Sequence, residues 1–184
     1  MAEIKAAAQL SAEQKTELLR LCLETIRVYS RECRVAPYQT EDPALLRHAA
    51  VFVTLRIRGM LRGCVGQVHP DYPLYLAVQN AGIAAGFADP RFPELCEQEI
   101  PQLQIKIAVL SPLEPILPEQ IIIGKHGLLI TSGRQRGLLL PEVAAERGWD
   151  LNTYFESLCL KAGLPCDAWH GSAQLFAFTT EVME

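Results

Sequence analysis

The chain has no long apolar run, no excess of positive charge and no paired cysteine spacing. No stretch approaches the roughly 18 uninterrupted apolar residues of a membrane span, so no transmembrane segment is expected. The start, Met1-Ala2-Glu3-Ile4-Lys5-Ala6-Ala7-Ala8, lacks the apolar centre of a signal peptide, and no export is expected. A net charge of −4 argues against nucleic acid as a partner, because such proteins show a basic face. The tightest basic pair, Arg134 with Arg136, reads as decoration of a hairpin tip. The 6 cysteines (Cys22, Cys33, Cys64, Cys96, Cys159 and Cys166) form no C-x-x-C and no cluster with histidine, so no metal site is expected. Free thiols in a reducing, cytoplasmic compartment are the simplest reading. Phosphate-loop, nucleophile-elbow and H-E-x-x-H strings are all missing, as are repeats and linkers. One domain over residues 1–184 is the expectation.

What is there is a mixture of helical and alternating patterns. Ser11-Ala12-Glu13-Gln14 has the form of a capping box, followed by Leu18, Leu19, Cys22, Leu23 and Ile26 at helical spacing. Asp42-Pro43 suits the start of a second, short helix. Residues 51–58 alternate as a half-buried strand, Gly59-Met60 reads as a turn, and a second strand runs from Leu61 to about Val68. Pro73 to Ala88 is helical and rich in small residues, which predicts tight packing against a sheet. Residues 103–109 read as a strand, Ile121-Ile122-Ile123 as a short apolar stretch, and residues 127–140 as a hairpin turning at Ser132-Gly133-Arg134-Gln135. A short helix over Pro141 to Arg147, one capped by Asn152 and ending at Gly163, and a last strand over 173–182 complete the chain. The fold class is therefore α+β: a mixed or largely antiparallel sheet with β-hairpins and flanking helices.

The chemistry concentrates in Leu61-Arg62-Gly63-Cys64-Val65-Gly66. Strand alternation puts Arg62, Cys64 and Gly66 on one face, with Leu61 and Val65 toward the core. A guanidinium beside a thiol favours the thiolate, the reactive form, and Gly63 and Gly66 permit a bulge or the close approach of a ligand. Cys64 is then a candidate nucleophile, or else a small residue filling a crowded junction of sheet and helix. Asp89 and Arg91 come next. Arg91 either binds an anionic group with two parallel bonds or forms a structural salt bridge across lobes, with Asp89 capping the following turn. His126 is a candidate base for Cys64. His48, His69 and His170 read as surface or turn residues.

The hexapeptide resembles the signature of the AMMECR domain family, whose bacterial and archaeal members are called AmmeMemoRadiSam system protein A. Val51-Phe52-Val53-Thr54-Leu55, Asp89-Pro90-Arg91-Phe92-Pro93, His126-Gly127-Leu128, Leu140-Pro141-Glu142-Val143 and Leu160-Lys161-Ala162-Gly163-Leu164-Pro165, followed by Trp169, resemble further family segments in order. The resemblance covers about residues 45–182. It departs at Val65-Gly66-Gln67, where the signature usually ends in Ile-Gly-Thr. It implies a two-lobed arrangement with a cleft between lobes, an unsettled biochemical activity with no cofactor specified, and Memo-like and radical S-adenosylmethionine (radical SAM) proteins as partners. Two readings stay open: an accessory or binding protein that uses this strand, or an enzyme using Cys64 with Arg62.

Overall fold

The computed structural model describes Ile4, Ala7 and residues 9–171 and 173–184; the rest of the amino-terminal stretch read above, and Ser172, lie outside the described residues. The element order is α1 (Ala12–Glu32), α2 (Pro43–Leu46), β1 (Ala50–Ile57), β2 (Met60–Gln67), α3 (Leu74–Phe87), β3 (Leu103–Leu110), β4 (Glu114–Pro115), β5 (Gly127–Ser132), β6 (Gln135–Leu139), α4 (Pro141–Glu146), α5 (Leu151–Ala162), β7 (Gln174–Phe178) and β8 (Thr180–Met183). This is an α+β fold built on two 4-stranded sheets, ordered β2-β1-β3-β8 and β4-β7-β5-β6. The chain divides into two compact units, one holding residues 8–110 and 181–184, the other residues 1–7 and 111–180. Among the described residues no helix is long and apolar enough to cross a membrane.

In the first unit α1 starts at the predicted capping box, with the Ser11 hydroxyl accepting from the Gln14 N–H and the Gln14 side chain accepting from the Ser11 N–H. The β1–β2 hairpin is antiparallel, and β1 pairs antiparallel with β3. Its turn is Arg58-Gly59 rather than Gly59-Met60: both residues have positive φ (51° and 78°), as a two-residue hairpin turn requires. Val51, Val53 and Leu55 are fully buried on the core face of β1, where α3 covers β1 and β2 and α1 packs on α3. Helix α3 is apolar on all sides, as a helix enclosed in this way should be. Its small residues admit close approach. A Cβ on Gly82 would stand 2.8 Å from Cys22 Sγ, and one on Gly63 would stand 1.9 Å from the Ala85 carbonyl oxygen. A polar pair is buried in this core: Gln79 Nε2 donates to Thr25 Oγ1 (3.0 Å) and to the Ala36 carbonyl (2.8 Å), joining α1, α3 and the segment after α1.

In the second unit β5 pairs antiparallel with β6 and β7 over a core of Leu128, Ile130, Tyr154, Phe155, Leu158 and Ala177. Two local readings need correction, the cap of α5 and the course of the last strand. The cap of α5 is Asp150, whose carboxylate accepts the Thr153 N–H, rather than Asn152. The short apolar stretch Ile121-Ile122-Ile123 leads into β5, with Ile121 buried and Ile122 exposed. The final strand divides at Thr179, so that β7 belongs to one sheet and β8 to the other.

Candidate functional site around the edge strand

Strand β2 lies at the edge of its sheet, and Arg62 interrupts its pairing. Leu55 opposes Gly63 and Arg56 opposes Leu61, leaving Arg62 as one extra residue, a β-bulge. The bulge overturns the simple alternation. Leu61 leaves the core face and is 38% exposed, because the extra residue puts it opposite the exposed Arg56 while Gly63 takes the core-side place opposite Leu55. Arg62 does not lie alongside Cys64 as a free cation. Its Nε and Nη2 donate to the two Glu99 oxygens (2.7 and 2.9 Å), Nη1 donates to the Pro93 carbonyl (2.8 Å) and Nη2 to that of Glu94 (3.1 Å). These bonds hold the Glu99 carboxyl down to about 2, against the opposing push of burial. Arg62 is thus engaged with the chain that follows α3.

Cys64 has a different setting. Its N–H donates to Asp89 Oδ2 (2.8 Å) and its carbonyl accepts from Arg91 Nη2 (3.1 Å). Asp89 and Arg91 therefore supply to the edge of β2 the acceptor and donor that a neighbouring strand would supply, which blunts an otherwise open edge. The pair is bidentate: Arg91 Nε donates to Oδ1 (2.9 Å) and Nη2 to Oδ2 (2.6 Å), and the Arg91 N–H donates to Oδ1 (3.2 Å). The Asp89 side chain is 3% exposed and that of Arg91 55%. The Arg91 bonds, aided by the Cys64 N–H, hold the Asp89 carboxyl far below the usual carboxylate range despite its burial. The expected cap is present, but the salt bridge of Arg91 runs locally to Asp89 instead of across lobes.

The Cys64 thiol, half-buried, stands 3.2 Å from Thr54 Oγ1 on β1. Thr54 pairs with Cys64 on one side and with Lys106 of β3 on the other, so the three form a row across the sheet. Thr54, Lys106 and Glu99 escaped the reading of site residues from sequence. The signal for Thr54 was its place on the polar face of β1, and for Lys106 its alternation with Ile105 and Ile107; Glu99 carried none.

The two signature glycines serve packing. Gly63 admits the α3 backbone, and a Cβ on Gly66 would meet the Val51 carbonyl oxygen at 2.2 Å and Phe52 Cγ at 2.5 Å. His126 lies in the other unit, just before β5, and is buried. Its Nδ1 accepts the Ile122 N–H (3.2 Å) and its carbonyl accepts the Tyr154 hydroxyl (3.1 Å). Burial, with Lys125 beside it, lowers its pKa and favours the neutral ring. These bonds give His126 a structural place beside α5. Among the described residues no group of three or more His, Cys, Asp or Glu is placed to hold a metal ion.

A sequence model of the AMMECR1 family matches residues 19–183, a span that contains every site residue above. The chain belongs to the AMMECR1 family. A protein from Thermofilum pendens is 37% identical over 193 residues, covering 95% of this chain and 91% of that relative. One from Thermococcus gammatolerans is 40% identical over 180 residues, covering 91% and 88%. The crystal structure of the uncharacterized protein PH0010 from Pyrococcus horikoshii superimposes with a TM-score of 0.90 at 34% identity, covering 94% of this chain and 92% of that one. The bulged edge strand, with its Glu99 latch and Asp89–Arg91 cap, is therefore part of an AMMECR1 fold.

Proposed function

We propose that this AMMECR1-family chain is an accessory or binding protein of the AmmeMemoRadiSam type, acting in a reducing, cytoplasmic setting to which its six free thiols are suited. Its partners in this reading are Memo-like and radical SAM proteins. The observation that carries the proposal is the cap on β2. Asp89 is buried and its charge fixes Arg91, whose side chain remains 55% exposed beside Cys64. A fixed, exposed arginine is a frequent anchor at protein interfaces. The test is co-purification of the tagged chain with a Memo-like protein and a radical SAM protein. Capture by the wild type and its loss in Arg91→Ala is the expected result; undiminished capture by Arg91→Ala and Cys64→Ala removes this surface from the partner contact.

A second reading, an enzyme using Cys64, draws on the 3.2 Å approach of Thr54 Oγ1 to the thiol and on the Arg91 guanidinium nearby. Arg62 is engaged by Glu99, so this reading rests on Thr54 and Arg91 as the neighbours of Cys64. The rate of Cys64 alkylation against pH separates the readings, since a nucleophilic thiol reacts well below the pH at which free cysteine does. An inert Cys64 leaves the binding role alone.

A further inference from the structure

The unit built on β5 and α5 carries its own surface cavity of about 230 Å³, lined by Asn152, Glu156, Cys166, Asp167, Trp169 and His170. Asn152 and Glu156 are four residues apart on α5 and so share one side of the helix. Tyr154, Phe155 and Leu158 of the same helix are buried in the core. The other wall is the tight turn after α5, in which the His170 N–H donates to the Asp167 carbonyl (2.9 Å) and the Ala168 N–H to that of Pro165 (3.0 Å). The indole of Trp169 is stacked on Phe155, with ring centres 4.3 Å apart and an 18° tilt, and the His170 ring is 3.5 Å from it. The wall is thus fixed by its contact with a core residue.

Charge decides what such a cavity takes. Two of its lining residues, Glu156 and Asp167, are carboxylates, and no lysine or arginine lines it. Among the described residues neither carboxylate is in an ion pair. Asn152 adds an amide oxygen as a further acceptor. The acids and the histidine do not converge as a set of metal ligands, so the negative charge is spread along a cleft with an aromatic side. That combination suits a cation with an apolar stem: an ammonium donating to the carboxylates and methylenes lying along the rings.

The geometry points to this cavity as a binding site for an alkylammonium group, supplied either by a free amine or by a lysine side chain of a partner. It belongs to the other unit from β2 and does not depend on the role given to the β2 surface. The test is NMR titration of the isotopically labelled full chain. The probes are n-butylammonium, Nα-acetyl-lysine N-methylamide, neutral 1-pentanol and zinc chloride. Both ammonium probes are expected to shift the Trp169 indole and Asn152 side-chain signals saturably. The Trp149 indole, packed against the Arg147 guanidinium 5.1 Å away, should stay in place. Glu156→Gln with Asp167→Asn should weaken both probes at least about tenfold. These positions are exposed, so the double variant should fold, and its Trp149 signal reports whether it has. Tighter binding of the lysine probe assigns the site to a protein side chain, and equal binding assigns it to a free amine. No shift, an equal shift with 1-pentanol, a response to zinc alone, or undiminished binding by the double variant overturns the proposal.

Discussion

Two acid–base pairs secure the same edge strand, and they are built in opposite directions. Arg62 reaches out from β2 to Glu99, and its side chain is left 13% exposed. Asp89 and Arg91 reach in toward β2 from the chain after α3, and Arg91 is left 55% exposed. In the first pair the cation is used up, with every described contact going to the protein's own chain. In the second the buried partner is the anion, which orients a cation at the surface. A charge is available for recognition when its counter-ion is the buried member of the pair. By that measure Arg91 is the residue to watch, although Arg62 belongs to the signature.

The largest expected effect falls between the pairs, at Gly63. Gly63→Ala would drive a Cβ to 1.9 Å from the Ala85 carbonyl oxygen, which is backbone and cannot swing aside. A loss of about 3 kcal/mol or more is expected, read by urea denaturation. If Gly63→Ala costs little, the edge strand is looser than both pairs imply.

The acid limb of stability comes next. Both carboxyls have folded pKa values below their unfolded ones, so the stability they contribute is present above the unfolded values and is lost as pH falls through the folded ones. For Glu99 the window runs from its ordinary 4.5 down to about 2. Asp89, depressed further relative to an ordinary 3.8, should hold on to lower pH. Glu99→Gln should cost roughly 2 kcal/mol at pH 7 and flatten the unfolding free energy from pH 4.5 downward, while Asp89→Asn should leave the slope between 4.5 and 3.8 unchanged and flatten it from 3.8 to below the Glu99 window. Identical pH profiles for the two variants would erase the distinction between the pairs.

The smallest effect is expected at the thiol. Cys64 is half-buried and its sulfur has one polar neighbour, Thr54 Oγ1. Cys64→Ala should cost about 1 kcal/mol or less, measured by thermal unfolding beside Cys22→Ala, whose site is fully buried. A larger loss would return Cys64 to a packing role.

Much of this was legible in the sequence. The Ser11 box, the alternation of residues 51–58 and the small-residue helix over 73–88 each encode local geometry in local residues, and each formed within a residue or two of its predicted bounds. The approach of α3 to the sheet was legible for the same reason, since only small side chains permit it. What was not legible depended on partners distant in sequence. The bulge at Arg62 breaks an alternation that the residues alone support, and Glu99 lies 37 positions away. The division of the last strand at Thr179 was hidden too, because alternation continues on both sides of the break.

That division reaches beyond the two sheets themselves. Strand β7 stands between β4 and β5, and β8 is the outer neighbour of β3. A ribosome that has delivered residues 1–171 has therefore supplied every helix but finished neither sheet. The hairpins can form early, since their pairings are local, but β3 and β5 must wait for strands made last. Such late, long-range pairing slows folding. It also leaves the nascent chain with two unfinished strand edges, a state in which chaperone contact or proteolysis would act before the native protein exists.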